Sequence, residues 1–378
     1  MYLSGPLGMG LFKLFPRQGR WSSIVGLLIM CLSIGLSSLA STVPQLIATQ
    51  GVLYAIGGAI TYTPCIVYLD EWFVERKGLA YGIMWSGTGL FGVLIPLLLQ
   101  YLLDTTGFRT TLRVWAGLLF ALAAPLAYFV KPRVPVPAAA GRRRGIDLRF
   151  LGSKPFLLYQ AANVVEATGF FLPGIYLPSF ARRVFGAGPF LSALTVLLVN
   201  VASVFGCVAM GTLSDHLHVT TCILVSTVGA TAGTLLLWGF SMNLPVLYLF
   251  CVIYGLFAGS FTSAWPGIMK EMTKQRVPSS SSLSRDEADG GGDGDREGYT
   301  AGATNGTDPS MVFGFLAAGR GLGNVVSGPL SEAMVNGFPW QGQAVGGYGS
   351  GYGTLIAFTG VTALLGGGSF LWRKLGWL

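Results

Sequence analysis

The sequence predicts an all-α membrane protein made of two pseudosymmetric helical bundles, and three observations support this prediction. The chain of 378 residues is 52% apolar and only 11% charged, which leaves too little polar surface to cover a soluble globule of this size. Long apolar segments recur along its whole length. In addition, a ten-residue pattern occurs twice, as YGIMWSGTGL from Tyr81 and as FGFLAAGRGL from Phe313, at an offset of 232 residues.

Ten segments reach or approach the roughly 20 apolar residues that a helix needs to cross a bilayer. They are residues 21–40, 45–69, 79–103, 114–130, 156–180, 189–213, 219–240, 245–269, 310–335 and 352–372. Residues 1–15 form an eleventh segment that is short. We therefore expect about 11 transmembrane helices, in which many of the 55 glycines let helix backbones approach closely.

The repeat relates the two halves helix by helix. Tyr54 aligns with Tyr254 at an offset of 200 residues, whereas the next pair of helices has the offset of 232. The 32 additional residues fall in a stretch that is rich in Ser, Gly and Asp. Such a composition cannot bury a core, so we expect a disordered cytosolic loop at 273–309.

The same alignment affects the amino end of the chain. Gly10 aligns with Gly211 at an offset of 201 residues, and segment 156–180 then has no counterpart in the first half. This counterpart would be the first of the usual 12 helices of a membrane protein with two such bundles, and it is therefore expected to be missing. The predicted domains are an incomplete N-terminal helical bundle at 1–130, a cytosolic linker at 131–155 and a C-terminal helical bundle at 156–378.

The net charge of +8 is explained by membrane topology, without a nucleic-acid partner. Of the 24 Lys and Arg residues, 19 lie on one side of the predicted helices, Arg320 lies within a helix, and four lie on the other side, namely Arg109, Arg113, Arg182 and Arg183. The positive-inside rule places the larger set in the cytosol.

The five Cys and two His residues show no metal-ligand spacing, so neither a metal site nor a cofactor is expected. No phosphate-binding glycine loop and no nucleophile–His–acid set is present either, so no enzyme is predicted.

Four stretches of the sequence resemble one known family. They are residues 49–92 (TQGVLYAIGGAITYTPCIVYLDEWFVERKGLAYGIMWSGTGLFG), GFRTTLR at 107–113, GFFLPGIYLPSF at 169–180 and GRGLGNVVSGPLS at 319–331. They are similar to the fungal monocarboxylate-transporter-like family of the major facilitator superfamily, which identifies the chain as an amino-terminally truncated member. The resemblance implies the major facilitator fold and a carrier function. Residues 211–215, GTLSD, also resemble a loop motif of that superfamily, whose earlier copy here has Leu14 in place of Asp215.

Two charged residues lie deep inside predicted membrane helices. Glu166 and Arg320 would each cost about 2.5–3.5 kcal/mol at the bilayer centre if unpaired. Asn163 and Asn324 share their helix faces at i−3 and i+4, which indicates polar faces directed at a hydrated pathway. Arg320 is a candidate ligand for a substrate carboxylate, and Glu166 is a candidate carrier of a coupled proton, because desolvation favours a neutral carboxyl group. A purely structural Glu166–Arg320 pair is the open alternative.

Further candidates come from the repeat and from the short loops. Tyr62 and Trp265 lie on corresponding aromatic and polar helix faces, so we expect them to line a central cavity and to contact substrate. The candidate gating residues are Asp70, Glu71, Arg76 and Asp215. The candidate helix-packing residues are Gly87, Gly89, Gly319 and Gly321, since glycine favours close helix contacts in membranes.

These features lead to two hypotheses of different classes. The first is a secondary active or facilitative transporter of a small, monocarboxylate-like organic anion, which works by alternating access and, if proton-coupled, by symport. The second is a non-transporting sensor or a defective truncated paralogue, which the missing first helix favours. The expected partners are a small-molecule substrate, protons and the lipid bilayer. We expect the plasma membrane as the location, with the vacuolar membrane as the alternative.

Overall fold

The computed structural model describes residues 2–15, 18–133, 148–274 and 307–378, which are helical almost throughout and contain no strand. A 3-10 turn at Tyr2–Ser4 precedes the first helix. The first half contains α1 (Gly5–Leu14), α2 (Gly19–Ser37), α3 (Val43–Leu46), α4 (Tyr54–Trp72), α5 (Lys77–Thr106) and α6 (Phe108–Phe129). A π-helical stretch at Ile47–Leu53 joins α3 to α4 without a break.

The second half follows the same plan. It contains α7 (Lys154–Phe170), α8 (Leu172–Phe185), α9 (Pro189–His216), α10 (Val219–Ala232), α11 (Leu244–Phe257), α12 (Trp265–Lys274), α13 (Pro309–Val335), α14 (Gly353–Gly366) and α15 (Ser369–Lys374). A π-helical stretch at Gly233–Trp238 extends α10, and a 3-10 turn at Phe261–Ala264 links α11 to α12. Most of the predicted disordered loop, residues 275–306, lies outside the described residues, as does most of the linker.

Within the described part of the chain, nine helical segments are long and apolar enough to cross a membrane. The 27-residue α13 and the short α1 add two more segments to these. These two are helical, as the sequence predicts, but they are not among the nine candidate spans of the described residues. The all-α fold is confirmed.

Two helix boundaries differ from the sequence prediction for local reasons. The predicted segment 114–130 begins earlier, at Phe108, because Gly107 adopts a φ of 75° and turns the chain directly from α5 into α6. This left-handed region is accessible to glycine at little cost. The predicted segment 156–180 is divided at Phe171, where Pro173 stands in the first turn of α8, a position that proline tolerates well because no backbone N–H is needed there.

The two halves meet along two equivalent helix pairs, α5 with α9 and α1 with α13. Gly89 faces Ser203 of α9, and Gly321, its counterpart in the repeat, faces Tyr2 beside α1. Tyr2 and Ser203 are themselves counterparts at the offset of 201 residues. The sequence duplication is therefore also a duplication of contacts, as expected for two pseudosymmetric bundles.

The bundles contact each other mainly at one end. We call this end the linker face, because α6 ends and α7 begins there; it is the end that the charge distribution assigns to the cytosol. The buried residues of α5 all fall between Gly78 and Gly89, in the half nearest the linker face, and none falls in 90–106. The two bundles thus close at the linker face.

One candidate packing residue does not take part in this interface. A Cβ atom on Gly87 would meet no described atom within 4 Å. Its counterpart Gly319 packs against Gln160 of α7, and the described first half has no helix that corresponds to α7. The expectation that Gly87 packs against a helix is therefore wrong for this structure, whereas Gly89, Gly319 and Gly321 lie at close contacts.

Candidate functional site

A buried ion pair joins α7 to α13 inside the second bundle. Nη1 of Arg320 donates a hydrogen bond of 2.6 Å to Oε2 of Glu166, and the two side chains are 1% and 5% exposed. The guanidinium carbon of Arg320 also lies 4.2 Å from the ring centre of Phe170, one helical turn beyond Glu166. Charge pairing and the cation–π contact together offset the cost of burying the guanidinium.

The ion pair is one contact in a series along α7, α8 and α13. These helices run parallel, so each contact joins residues that are 153 to 155 positions apart. The other contacts are Gln160 Nε2 to Phe315 O (2.8 Å), Asn163 Nδ2 to Leu316 O (2.8 Å) and Tyr176 Oη to Ser331 Oγ (3.1 Å). The structure therefore brings Asn163, Glu166 and Arg320 together on one seam. Asn324 lies one turn further along α13, with a buried amide oxygen that has no hydrogen-bond partner among the described residues.

A small cavity adjoins the carboxyl group of Glu166. It measures about 10 Å³, roughly the space of one water molecule. Its walls come from α7, α10, α11 and α14 and include the side chains of Ser226, Thr227, Tyr254 and Thr359. Glu166 thus lies between the guanidinium of Arg320 and a small, mainly apolar cavity. The four hydroxyl groups at its wall donate hydrogen bonds to backbone carbonyl groups.

Five aromatic side chains form a second centre between the two bundles. This aromatic cluster consists of Tyr62 (α4), Tyr81 and Trp85 (α5), Trp265 (α12) and Phe313 (α13). Ring centres lie 6.5 Å apart for Tyr62 and Trp85, 6.1 Å for Trp85 and Trp265, and 5.3 Å for Trp265 and Phe313. Tyr62 and Trp265 are thus brought together across the bundle interface. They lie in a closed cluster rather than along the wall of an open cavity.

Polar contacts close the linker face. The carboxylate of Asp215, at the end of α9, accepts hydrogen bonds from the backbone N–H groups of Gly78 (2.7 Å) and Leu79 (2.9 Å) at the start of α5. Lys13, at the end of α1, forms an ion pair with Asp308, which caps the start of α13. Each contact connects one bundle to the other.

The remaining candidate gating residues take part in different contacts. Asp70 pairs with Lys77 at 2.6 Å, which connects the end of α4 to the start of α5 within one bundle. Glu71 accepts a hydrogen bond of 3.3 Å from the backbone N–H of Arg133. Arg76 is exposed and forms no ion pair with a described residue. Among the contacts of the described residues, those of Asp215 are the ones by which a gating candidate joins the two bundles.

Sequence reasoning missed Gln160, Trp85, Tyr81, Phe313 and the Lys13–Asp308 pair. Gln160 carries a detectable signal, because it precedes Asn163 by three residues and so extends the same polar helix face. Tyr81 and Phe313 open the two copies of the repeat and so occupy equivalent positions. Lys13 and Asp308 have no such signal, since each one lies next to a polar segment and has the appearance of a solvated charge.

Comparisons with known proteins agree with this architecture. A family model described as Major Facilitator Superfamily matches residues 5–284. The MFS-type transporter pytF of Aspergillus terreus is 32% identical, over 51% of this chain and 65% of its own length. The Fujikurins efflux protein of Gibberella fujikuroi is 28% identical over 66% of this chain and 54% of its own length. Monocarboxylate transporter 12-B of Danio rerio is 27% identical over 69% and 62%. The chain thus spans less than two thirds of the length of these relatives.

A solved structure shows the same fold. The crystal structure of the human organic anion transporter MFSD10 (TETRAN) superposes with a TM-score of 0.62, covering 100% of this chain and 80% of that one. Sequence identity is only 13%, so the likeness concerns the fold alone.

Proposed function

The chain belongs to the Major Facilitator Superfamily, and on this premise we propose that it is a membrane transporter that moves a small organic anion by alternating access between its two bundles. The family, the membrane helices and the pseudosymmetric arrangement of contacts support a multi-pass carrier. We propose the plasma membrane as its location, which microscopy of a fluorescently tagged chain tests.

The buried Glu166–Arg320 pair is the observation that carries the anion assignment. A guanidinium presents paired N–H donors that match a carboxylate, and here it is held 2.6 Å from a carboxylate that the chain itself supplies. A substrate carboxylate has the same chemistry as the Glu166 side chain. It can therefore replace Glu166 on Arg320 once Glu166 is neutral.

Protonation of Glu166 provides that neutral state. A neutral carboxyl group no longer balances the charge of Arg320, and a buried unpaired guanidinium is costly. An incoming anion restores the balance, so binding of proton and anion is coupled with a stoichiometry of one to one. Release of the proton into the adjoining cavity re-forms the ion pair and expels the substrate.

The contacts at the linker face supply the alternating access. Opening this face separates Asp215 from the start of α5, Lys13 from Asp308, and the rings of the aromatic cluster from one another. These contacts are polar or aromatic and are spread over several helices. They can therefore re-form in each cycle without a change in helix structure.

Uptake of radiolabelled lactate into proteoliposomes tests this proposal. With an inward proton gradient, the parent protein takes up lactate, and Arg320→Gln lowers the uptake about tenfold or more, as expected for the loss of a charge-assisted hydrogen bond. Glu166→Gln transports without a response to the gradient. Arg113→Gln is the matched control, because Arg113 lies on the opposite face and binds Ser38. Equal uptake by the parent and Arg320→Gln contradicts the anion assignment.

A further inference from the structure

We propose that the aromatic cluster is a binding subsite for a planar, oxygen-bearing ring system of the transported anion, while Arg320 holds its carboxylate. This inference rests on the proposed transport function and specifies the substrate class: a flat, conjugated carboxylic acid with carbonyl or ether oxygens on its rings. Three independent observations support it, namely the unpartnered donors of the cluster, its position between the bundles, and its distance from Arg320.

The first observation concerns hydrogen-bond donors. The hydroxyl groups of Tyr62 and Tyr81 and the indole N–H groups of Trp85 and Trp265 are buried, yet none has a hydrogen-bond partner within the part of the chain that the structure describes. Tyr81 and Trp265 are 0% exposed, and Trp85 is 6% exposed. Buried polar groups are partnered in the great majority of cases. Four unpartnered donors in one cluster indicate a place that acceptor atoms of a ligand occupy once the linker face opens and the rings separate.

The chemistry of these groups defines the ligand. An indole N–H can only donate, and a tyrosine hydroxyl readily does so, so the ligand has to bring acceptor oxygens. The surrounding surface consists of aromatic rings, which favour stacked or edge-on contact with another flat ring system. A small aliphatic acid such as lactate can engage Arg320 alone, whereas a conjugated ring system with carbonyl oxygens also satisfies both requirements of the cluster.

The second observation is the position of the cluster. Tyr81 and Phe313 are counterparts in the repeat, and their ring centres lie 5.9 Å apart. Two equivalent residues of a pseudo-twofold arrangement can touch only where they are close to the axis that relates the halves. The transport pathway of a two-bundle carrier runs between its halves, so the cluster lies on that pathway.

The third observation is a distance along α13. Arg320 follows Phe313 by seven residues, which is two turns of the same helix face and about 10 Å along the axis. A carboxylate on Arg320 and two fused rings at the aromatic cluster span a comparable length. One rigid molecule can therefore engage both sites.

Fluorescence anisotropy with two probes tests the subsite on the purified full chain. The first probe is a hydroxycoumarin carboxylate, which is flat, fluorescent and bears ring oxygens. The second is naphthoate, which has a similar shape, lacks ring acceptors and is measured by competition. The variants Tyr62→Phe, Tyr81→Phe, Trp85→Phe and Trp265→Phe each remove one donor and keep an aromatic ring. Each is expected to lower the ratio of coumarin to naphthoate affinity about fivefold.

Trp238→Phe is the matched control. The indole N–H of Trp238 is also buried without a described partner, and the residue is 0% exposed, but it lies inside the second bundle, away from the cluster. This variant is expected to leave the affinity ratio within twofold of the parent. A thermal melt of every variant verifies that it is folded.

The outcomes separate the subsite from the transport function. An unchanged affinity ratio in all four variants overturns the subsite, because the donors then do not contact the ligand. Absence of binding of both probes to the parent protein overturns it as well. If lactate uptake still depends on Arg320 in either case, the transport function stands. A lower ratio of coumarin to naphthoate affinity in the cluster variants, with an unchanged ratio in Trp238→Phe, supports the subsite.

Discussion

Lys13 and Asp308 form an ion pair at the place where the other half of the molecule uses Asp215. In the second half, the acid lies at the end of α9 and caps α5 from outside. At the other contact, the position that corresponds to Asp215 is Leu14, at the end of α1. The acid there is Asp308, which belongs to the capped helix α13 itself. Lys13 binds that acid from α1. The two contacts thus occupy equivalent positions, but the charged residue at the end of the preceding helix is an acid in one, Asp215, and a base in the other, Lys13.

We expect Lys13→Met to shift the conformational equilibrium toward an open linker face. A partly exposed ion pair contributes about 0.5–1 kcal/mol, which corresponds to a roughly two- to fivefold change in population. Spin labels on exposed cysteines introduced at Arg76 and Lys270 in a cysteine-free background report the change as a longer distance. Lys374→Met, at the same face but outside the interface, provides the control. An unaltered distance distribution for Lys13→Met shows that the pair does not hold the face closed.

We expect Asp215→Ala to destabilise the protein by about 1–2 kcal/mol, because the backbone N–H groups of Gly78 and Leu79 lose their acceptor and the start of α5 loses a favourable negative charge. A thermal melt in detergent measures this loss. Thr212→Ala changes an exposed residue of the same helix, whose hydroxyl group donates to the carbonyl oxygen of Val208 one turn earlier, so this variant should have the same melting temperature as the parent. Identical melting of both variants refutes the capping role.

We expect Glu166→Ala to lower stability strongly, by about 3–5 kcal/mol, because it leaves Arg320 buried without its partner. The double variant Glu166→Ala with Arg320→Met removes both charges and should regain most of this stability while it lacks anion binding. Melting curves of the single and double variants form a thermodynamic cycle. Additive effects of the two substitutions mean that the residues are not coupled.

We expect opposite effects from two glycines that lie two residues apart on α5. In Gly89→Ala, the new Cβ would lie 2.6 Å from the backbone oxygen of Asn200, so α5 and α9 have to move apart and the melting temperature falls. In Gly87→Ala, the Cβ enters open space, and the better helix propensity of alanine stabilises the helix by about 0.5–1 kcal/mol. Destabilisation by Gly87→Ala comparable to that by Gly89→Ala contradicts the packing described for α5.

The sequence predicts the fold well because the fold depends on local and repeated signals. The length of the apolar segments predicts where the helices lie. The two copies of the repeat, which begin at Tyr81 and Phe313, show which helix of one half corresponds to which helix of the other. Glu166 and Arg320 also stand out, since a charge within an apolar helix is costly wherever it lies.

The sequence does not predict those contacts of the site that depend on how far one helix is displaced along its neighbour. That Gln160 meets the carbonyl group of Phe315 follows from the register of α7 against α13, and register is a tertiary property. The same applies to Lys13 and Asp308, which come from helices at opposite ends of the chain. The open face of Gly87 likewise reflects which neighbour a helix has, and no property of the glycine itself predicts it.

The common register of the contacts between α7, α8 and α13 constrains the transport cycle that we propose. A slide of α13 along α7 by a single residue, about 1.5 Å, would break every one of these contacts at once, including the Glu166–Arg320 pair. In that proposed cycle, the three helices therefore move as one rigid unit. This unit can bend at Phe171, where α7 ends and α8 begins, because bending there keeps the hydrogen bonds to α13 on either side.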